Sequence, residues 1–287
     1  GESTLSKAYV PFIEHAANLG INIGNATNGW AFGPEKSERV LPHMSWIRFT
    51  VAAGTPEGYA RIMYKGPEHT EVFDNAMENI SHAIAYKKKH NLSVTIGIQM
   101  VLMPEFADEI IPFAQLGLDL GADYAVIKHC SDDETQSLGV DYSKYESMYD
   151  LLETAEAMST SKTKIVVKWD KINDKGKHSY SRFYGPAFLL QISGSGLVAP
   201  SGMFFNARHS KLHIGDFTTE RFIDMFNSDR YWRAMNYLAS PAFDAKTQLG
   251  LLSIQHYVST TLDNHVKGIK KIVPPTSGKE PLHVNFL

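Results

Sequence analysis

The sequence predicts an α/β fold: a partial (β/α) barrel over residues 1–172, followed by a small α+β domain over 173–287. Three observations predict it. Apolar strand runs alternate with amphipathic helical stretches through the first 170 residues. The connections are short, so right-handed crossovers make successive strands parallel. At "NDKGK", Asn173–Lys177, the composition changes to that of a turn or linker, and the strands beyond it are shorter.

Taken in order, Lys7–Asn18 places Ala8, Val10, Phe12, Ile13 and Ala16 on a helix stopped at Gly20. "INIGNATNG" reads as a buried strand ending in a polar turn. Pro34–Leu41 reads as a helix, and "SWIRFTVAAG" as a parallel strand covered on both faces up to Gly54. Asp74–His90 is a longer amphipathic helix with Lys87, Lys88 and Lys89 at its solvated end. "SVTIGIQMVLMP", a helix over Phe106–Leu120, "DYAVIKHCS", a helix over Tyr145–Met158 and "TKIVVKW" bring the strand count to five. Eight would close a barrel of the common type, so five give a partial barrel or an open sheet. Past the linker, a strand over Leu197–Pro200 runs into a Ser201-Gly202 turn, and a second strand opens at Met203. Helices follow over Thr219–Asn227, "YWRAMNYLA" and Gln255–Val266, and the tail "VPPTSGKEPLHVNFL" reads as extended.

Composition narrows the function classes. With 43% hydrophobic residues, 21% charged residues and a net charge of −3, the chain has an ordinary globular balance, and its basic residues form no long run that would call for a nucleic-acid partner. No stretch reaches the ~18 to 20 unbroken apolar residues of a membrane span. "GESTLSKAYV" lacks a signal peptide's charged start and apolar centre, so the expected location is cytoplasmic. The single cysteine, Cys130, rules out an intrachain disulfide and any site built from several thiolates of this chain alone.

In a parallel sheet or barrel the C-terminal strand ends converge on one mouth and carry the functional groups. Those ends supply Asn25, Thr27 and Asn28, then Arg48 and Thr50, then Gln99, then Lys128, His129 and Ser131. The set is polar but poor in acids, which suits a ligand bearing a carboxylate and hydroxyls rather than magnesium or calcium. Asn28-Gly29 is also a turn signature. Arg48 and Lys128 sit inside apolar strands, as ligand groups or as partners of a buried acid. Cys130 beside His129 reads first as a packed thiol and second as a nucleophile. His209 and His213 have metal spacing only on a helix, and only if further ligands join them.

Taken together these segments resemble the radical S-adenosylmethionine (radical SAM) superfamily, in the branch with a SPASM-type C-terminal domain. Gly1-Glu2 is similar to the end of that family's GGE motif, which implies that Glu2 contacts the methionine amino group of the cofactor. "WIRFTVAAGTPEGYARI" is similar to its fourth strand, where the hydroxyl residue, here Thr50, faces the cofactor; the acid often found two places on is Ala52. "NATNG", "IGIQMVLMPE" and "YAVIKHCSDDE" resemble its third, fifth and sixth strands. The implied cofactor site is Glu2, Asn28, Thr50, Gln99 and Lys128, with S-adenosylmethionine as the cofactor and a peptide or protein as the default substrate.

"YGPAFLLQISGSGLVAPSG" is similar to the SPASM hairpin, and "GLLSIQHYVSTTLDNHVKG" to the closing helix. Relatives of this kind ligate auxiliary [4Fe-4S] clusters through cysteines whose matching positions here are Phe183, Ser201, Thr218, Leu249 and Ser253. The family's CxxxCxxC loop lies upstream of the GGE motif, and the chain begins at that motif. The resemblance therefore implies reductive cleavage of S-adenosylmethionine and radical modification of a substrate as the family chemistry, with clusters that this chain has no cysteines to hold. Two other readings stand beside it: a cluster-free binding module for a nucleotide-like ligand or partner, and a metal-dependent hydrolase on the partial barrel using histidines such as His129 and His209.

Overall fold

The computed structural model describes residues 2–64, 66, 68–133, 135–250 and 255–273. Two compact units divide the chain. Among the described residues, one is built from those up to Cys130 together with Asp141–Asn173, the other from Ser131–Val140 together with those from Asp174 to Val273.

The first unit alternates strand and helix. α1 (Tyr9–Asn18) leads to β1 (Gly24–Thr27), α2 (Pro34–Val40) to β2 (Trp46–Thr50), and α3 (Pro56–Tyr64) and α4 (Thr70–His90) to β3 (Thr95–Leu102). α5 (Ile110–Leu120), β4 (Tyr124–His129), α6 (Tyr149–Ala157), β5 (Lys164–Val167) and α7 (Trp169–Asn173) complete it. The strands form one parallel sheet in the order β1-β2-β3-β4-β5. Because that order never reverses, right-handed crossovers put the helices on one side, as in a barrel rather than a doubly wound sheet. α1, α2, α4, α5 and α6 each touch the next, and α5 and α6 lie against β3, β4 and β5.

The faces of the sheet differ accordingly. Ile47 and Phe49 of β2, Ile96 and Ile98 of β3, Ala125 and Ile127 of β4 and Ile165 of β5 are buried. Along β2 these alternate with half-buried Trp46, Arg48 and Thr50, and along β5 with exposed Lys164 and half-buried Val166. Only β3 is enclosed on both faces through most of its length. The expectation that the Trp46 strand is covered on both sides is thus corrected: its polar alternate positions face the side without the helical layer.

Several boundaries differ from the sequence reading. α3 was not foreseen, since the glycines flanking its start masked its helical period; it is seated by Glu109, which accepts hydrogen bonds from Gly54 N–H (3.0 Å) and Thr55 Oγ1–H (3.0 Å). The helix expected over Phe106–Leu120 begins as a 3-10 turn at Pro104–Glu109, and that over Tyr145–Met158 as one at Tyr142–Met148. Lys87 pairs with Asp123 rather than being fully solvated, while Lys88 and Lys89 are exposed.

The second unit holds a three-stranded antiparallel sheet, β6 (Gln191–Ile192), β7 (Leu197–Ala199) and β8 (Gly215–Asp216). Four helices follow, α8 (Phe222–Phe226), α9 (Asp229–Ala239), α10 (Ala245–Gln248) and α11 (His256–Val266). α9 buries Tyr231, Ala234, Met235 and Leu238, one stripe at helical spacing, into a core that includes Tyr180, Phe183, Phe204 and Phe243. The second strand expected at Met203 is instead a 3-10 turn, Gly202–Phe204, and β7 pairs with β6 and β8 on either side. The helix expected over Thr219–Asn227 is shorter, because Asp216 binds Thr218 in a turn that holds the chain out of helix. The extended tail expected from Val273 lies almost wholly outside the described residues.

Candidate functional site

At the C-terminal end of β1 the chain makes a tight polar loop. Thr27 Oγ1 accepts from Gly29 N–H (3.1 Å) and Asn28 Oδ1 from Trp30 N–H (3.1 Å), with Gly29 at φ +80°, a conformation glycine adopts without strain. Asn28 is exposed and works as the turn residue its neighbour suggests.

Glu2 is tied to this loop. Its Oε2 accepts from Asn28 N–H (2.9 Å), and its Oε1 from Thr27 Oγ1–H (2.8 Å), Thr4 Oγ1–H (2.8 Å) and Thr4 N–H (3.0 Å). Burial alone would raise the Glu2 carboxyl, but the bonds from Asn28, Thr4 and Thr27 outweigh it and hold it below its ordinary value. Glu2 is therefore an anion fixed beside β1, and among the described residues Oε2 accepts a single hydrogen bond where a carboxylate oxygen can take two.

The next three strands supply the remaining groups. Thr50 and Gln99 are direct partners in the β2–β3 ladder, and Lys128 pairs with Val101, two positions further along β3 from Gln99. Period-2 alternation puts Arg48, Thr50, Gln99 and Lys128 on the same face of the sheet. Gln99 is buried, while Thr50 and Lys128 are half-buried. The structure thus gathers Thr50, Gln99 and Lys128 on one face, and Glu2 with Asn28 at the neighbouring strand end.

This face is cationic. Burial lowers the Lys128 ammonium to about 8, and Lys171 and Arg48 push it the same way. Lys168 is also held down, by burial first and then by Arg48. The Arg48 guanidinium lies 5.7 Å from the Trp46 ring centroid. Lys168 directly follows β5 and Lys171 lies in α7 just beyond it; the position of Lys168 at a strand end is the sequence signal for it, whereas Lys171 carries none.

The histidine and cysteine candidates do other work. His129 alternates with Lys128 and is buried against Tyr142 and Tyr145; its Nδ1 lies 2.9 Å from the Cys130 carbonyl. Burial, with Lys171 adding, holds its imidazole at about 4, so it is neutral at physiological pH. Cys130 is a buried thiol, the packed role expected first. His209 belongs to the second unit and stacks edge-on against Phe204, while His213 Nε2 lies 2.8 Å from the Phe204 carbonyl. His209 lies in a 3-10 turn, Ala207–Leu212, and His213 follows it in extended conformation, so spacing of four does not give them the one-sided placement of an α-helix. Among the described residues no three His, Cys, Asp or Glu side chains are grouped to hold a metal ion.

The positions matched to auxiliary-cluster cysteines are scattered in character. Phe183 is 1% exposed and stacks with Tyr180 and Phe243 at centroid distances of 6.2 and 6.3 Å. Leu249 belongs to the same apolar core. Ser201 is buried at the end of β7, Thr218 is exposed, and Ser253 lies outside the described residues.

A five-stranded parallel sheet in unreversed order, followed by a small antiparallel unit, has close structural counterparts. SuiB of Streptococcus suis bound to S-adenosylmethionine matches with a TM-score of 0.60 at 12% identity, over 83% of this chain and 55% of that one. The fold is that of SuiB and anSMEcpe. SuiB bound to its precursor peptide SuiA matches with a TM-score of 0.61 at 11% identity, over 87% of this chain and 58% of SuiB. Native anSMEcpe with bound AdoMet matches with a TM-score of 0.54 at 12% identity, over 93% of this chain and 81% of that one. The chain thus spans a little over half the length of SuiB. No protein-family model matches the chain, and no curated protein matches its sequence. No helix among the described residues is long and apolar enough to cross a membrane.

Proposed function

We propose that this chain is a radical SAM-type protein whose sheet binds S-adenosylmethionine on its polar face, through Glu2, Asn28, Thr50, Gln99 and Lys128. The observation that carries the reading is the cross-strand pair Thr50 and Gln99, flanked by Arg48 and Lys128, on the face opposite the buried apolar layer. Cations on β2 and β4 suit the ligand's carboxylate, and the paired hydroxyl and amide suit its ribose. Fixed Glu2, with room at Oε2, suits the methionine ammonium. SuiB and anSMEcpe, which share the fold, have been captured with that ligand.

The residues present do not fit an iron–sulfur cluster. Such a cluster needs several thiolates, and the 287 residues contain one cysteine, buried beside Tyr145. No step through a cluster is therefore assigned to these residues. Their role is recognition, and the reductive cleavage typical of the family belongs with sulfur ligands that this polypeptide does not supply. The same reading gives the second unit a SPASM-like role and takes a peptide as the partner; the structures of SuiB bound to precursor peptide SuiA and of anSMEcpe with Kp18Cys peptide support the peptide.

Titration calorimetry with S-adenosylmethionine tests the reading. Binding is expected in the micromolar to low-millimolar range, weakened about tenfold or more by Thr50→Val combined with Gln99→Leu, which removes about 1.4 kcal/mol or more. Absence of heat at millimolar ligand overturns it. Release of 5′-deoxyadenosine by the anaerobically prepared polypeptide would overturn the restriction to recognition.

A further inference from the structure

The second unit carries a cavity of about 320 Å³ enclosed by the Ala207–Leu212 turn, α9 and the segment from Phe243 to Gln248. Its floor is apolar: Phe204 and Phe243, each 1% exposed and set edge-to-face at 6.4 Å, with Leu212 beside them. Its rim is cationic. Arg208 and Lys211 stand on the turn and Arg233 on α9, all exposed, and among the described residues no acidic side chain lines the cavity.

The neighbouring arginine on the same helix shows the contrast. Arg230 is paired with Glu220, whereas Lys211 and Arg233 make no ion pair within the described residues. His209, also lining the cavity, is held below its ordinary value by burial, then by Arg208 and His213. Its Nε2 accepts from Arg208 Nε–H at 3.1 Å. Like charges grouped around an apolar wall repel one another, and a ligand that brings negative charge to the rim relieves this while covering the exposed Tyr237 ring.

We infer that this cavity is a docking site for an acidic peptide segment in which carboxylates flank a bulky apolar side chain. The volume lies at the small end of ligand pockets, enough for an inserted side chain or two and too small for a whole nucleotide cofactor. A bare phosphate or sulfate would leave the Tyr237 ring, 39% exposed on the cavity wall, uncovered. A purely apolar segment would leave the cations facing low-dielectric surface. The rim charges come from two separate elements, Arg208 and Lys211 on the turn and Arg233 on α9, so more than one carboxylate of the segment can meet a cation. The site stands on the second unit alone and is independent of what the first unit's sheet binds.

Fluorescence polarisation with a fluorescein-labelled GEELFEEG peptide tests this on the full chain. Saturable binding is expected, at least tenfold tighter than that of GKKLFKKG or GEEGGEEG, and weakened as salt rises. Lys211→Glu with Arg233→Glu should weaken it at least tenfold, while the milder Lys211→Gln with Arg233→Gln should give an intermediate loss. All four changes lie at exposed positions, so thermal melts serve to check that the fold is retained, and S-adenosylmethionine calorimetry should not change. No saturable binding up to millimolar peptide, equal binding of the three peptides, or binding unchanged in the folded double variant overturns the assignment. Equal affinity for free 3-phenylpropionate also overturns it, in favour of a small-acid site.

Discussion

Lys128 shows how a single residue's setting decides its chemistry. Placed two residues beyond Gln99 on the polar face, its ammonium is desolvated and crowded by Lys171 and Arg48, and it titrates near 8 rather than 10.5. The sign of the pH dependence follows directly. Between about 8 and 10.5 the unfolded chain binds more protons at this residue than the folded one, so its unfavourable contribution is full below that window and vanishes above it. Lys128→Met should therefore raise the melting temperature at pH 7, and the difference from the parent should close as the pH approaches 10.5. A difference independent of pH would show that Lys128 keeps its ordinary titration. The sequence identified Lys128 because a charge inside "YAVIKHCS" is conspicuous, but Lys171 lies in a helical turn after the last strand and becomes its neighbour only through folding.

At the scale of elements, the loop from β2 into α3 is fixed by backbone contact. A Cβ on Gly54 would lie 2.1 Å from the Phe113 nitrogen and the Pro112 carbonyl carbon, both main-chain atoms of α5 that cannot turn aside. Gly54→Ala should cost on the order of 3 kcal/mol in urea melts, against little change for Gly194→Ala, where nothing lies within 4 Å. Equal stability of the two variants would mean that the loop does not seat against α5. The five strands and most of the helices were legible because their apolar periods are strong and their lengths ordinary. α3 was not, because "GTPEGYARI" opens with turn-forming residues whose helical period emerges only once Glu109 holds Gly54 and Thr55. The strand expected at Met203 failed for the converse reason. Met203 and Phe204 are apolar enough for a strand, but β7 already has a partner on each edge, leaving those residues to turn into the core.

For the molecule as a whole, each unit has its own means of cohesion, and in the second it includes a core of aromatic and aliphatic side chains. Phe183 and Leu249, at positions matched to cluster cysteines, join Phe204, Phe243 and α9 in one apolar core. Truncating Phe183→Ala should cost about 3–5 kcal/mol, and incubation with a metal chelator should leave the parent's melting curve unchanged. A chelator-induced drop would reveal a metal contribution that the aromatic core does not account for. The sequence by itself determined the alternation of strands and helices, the polar residues at the strand ends and the single cysteine, because periodicity and residue chemistry are local properties. Only the tertiary structure decided that Thr50 and Gln99 are partners, that Lys128, Lys168 and Lys171 share one electrostatic neighbourhood, and that cations surround an aromatic cavity on the second unit. Those relations join residues far apart in the chain, and packing and strand register, rather than any neighbouring residue, set them.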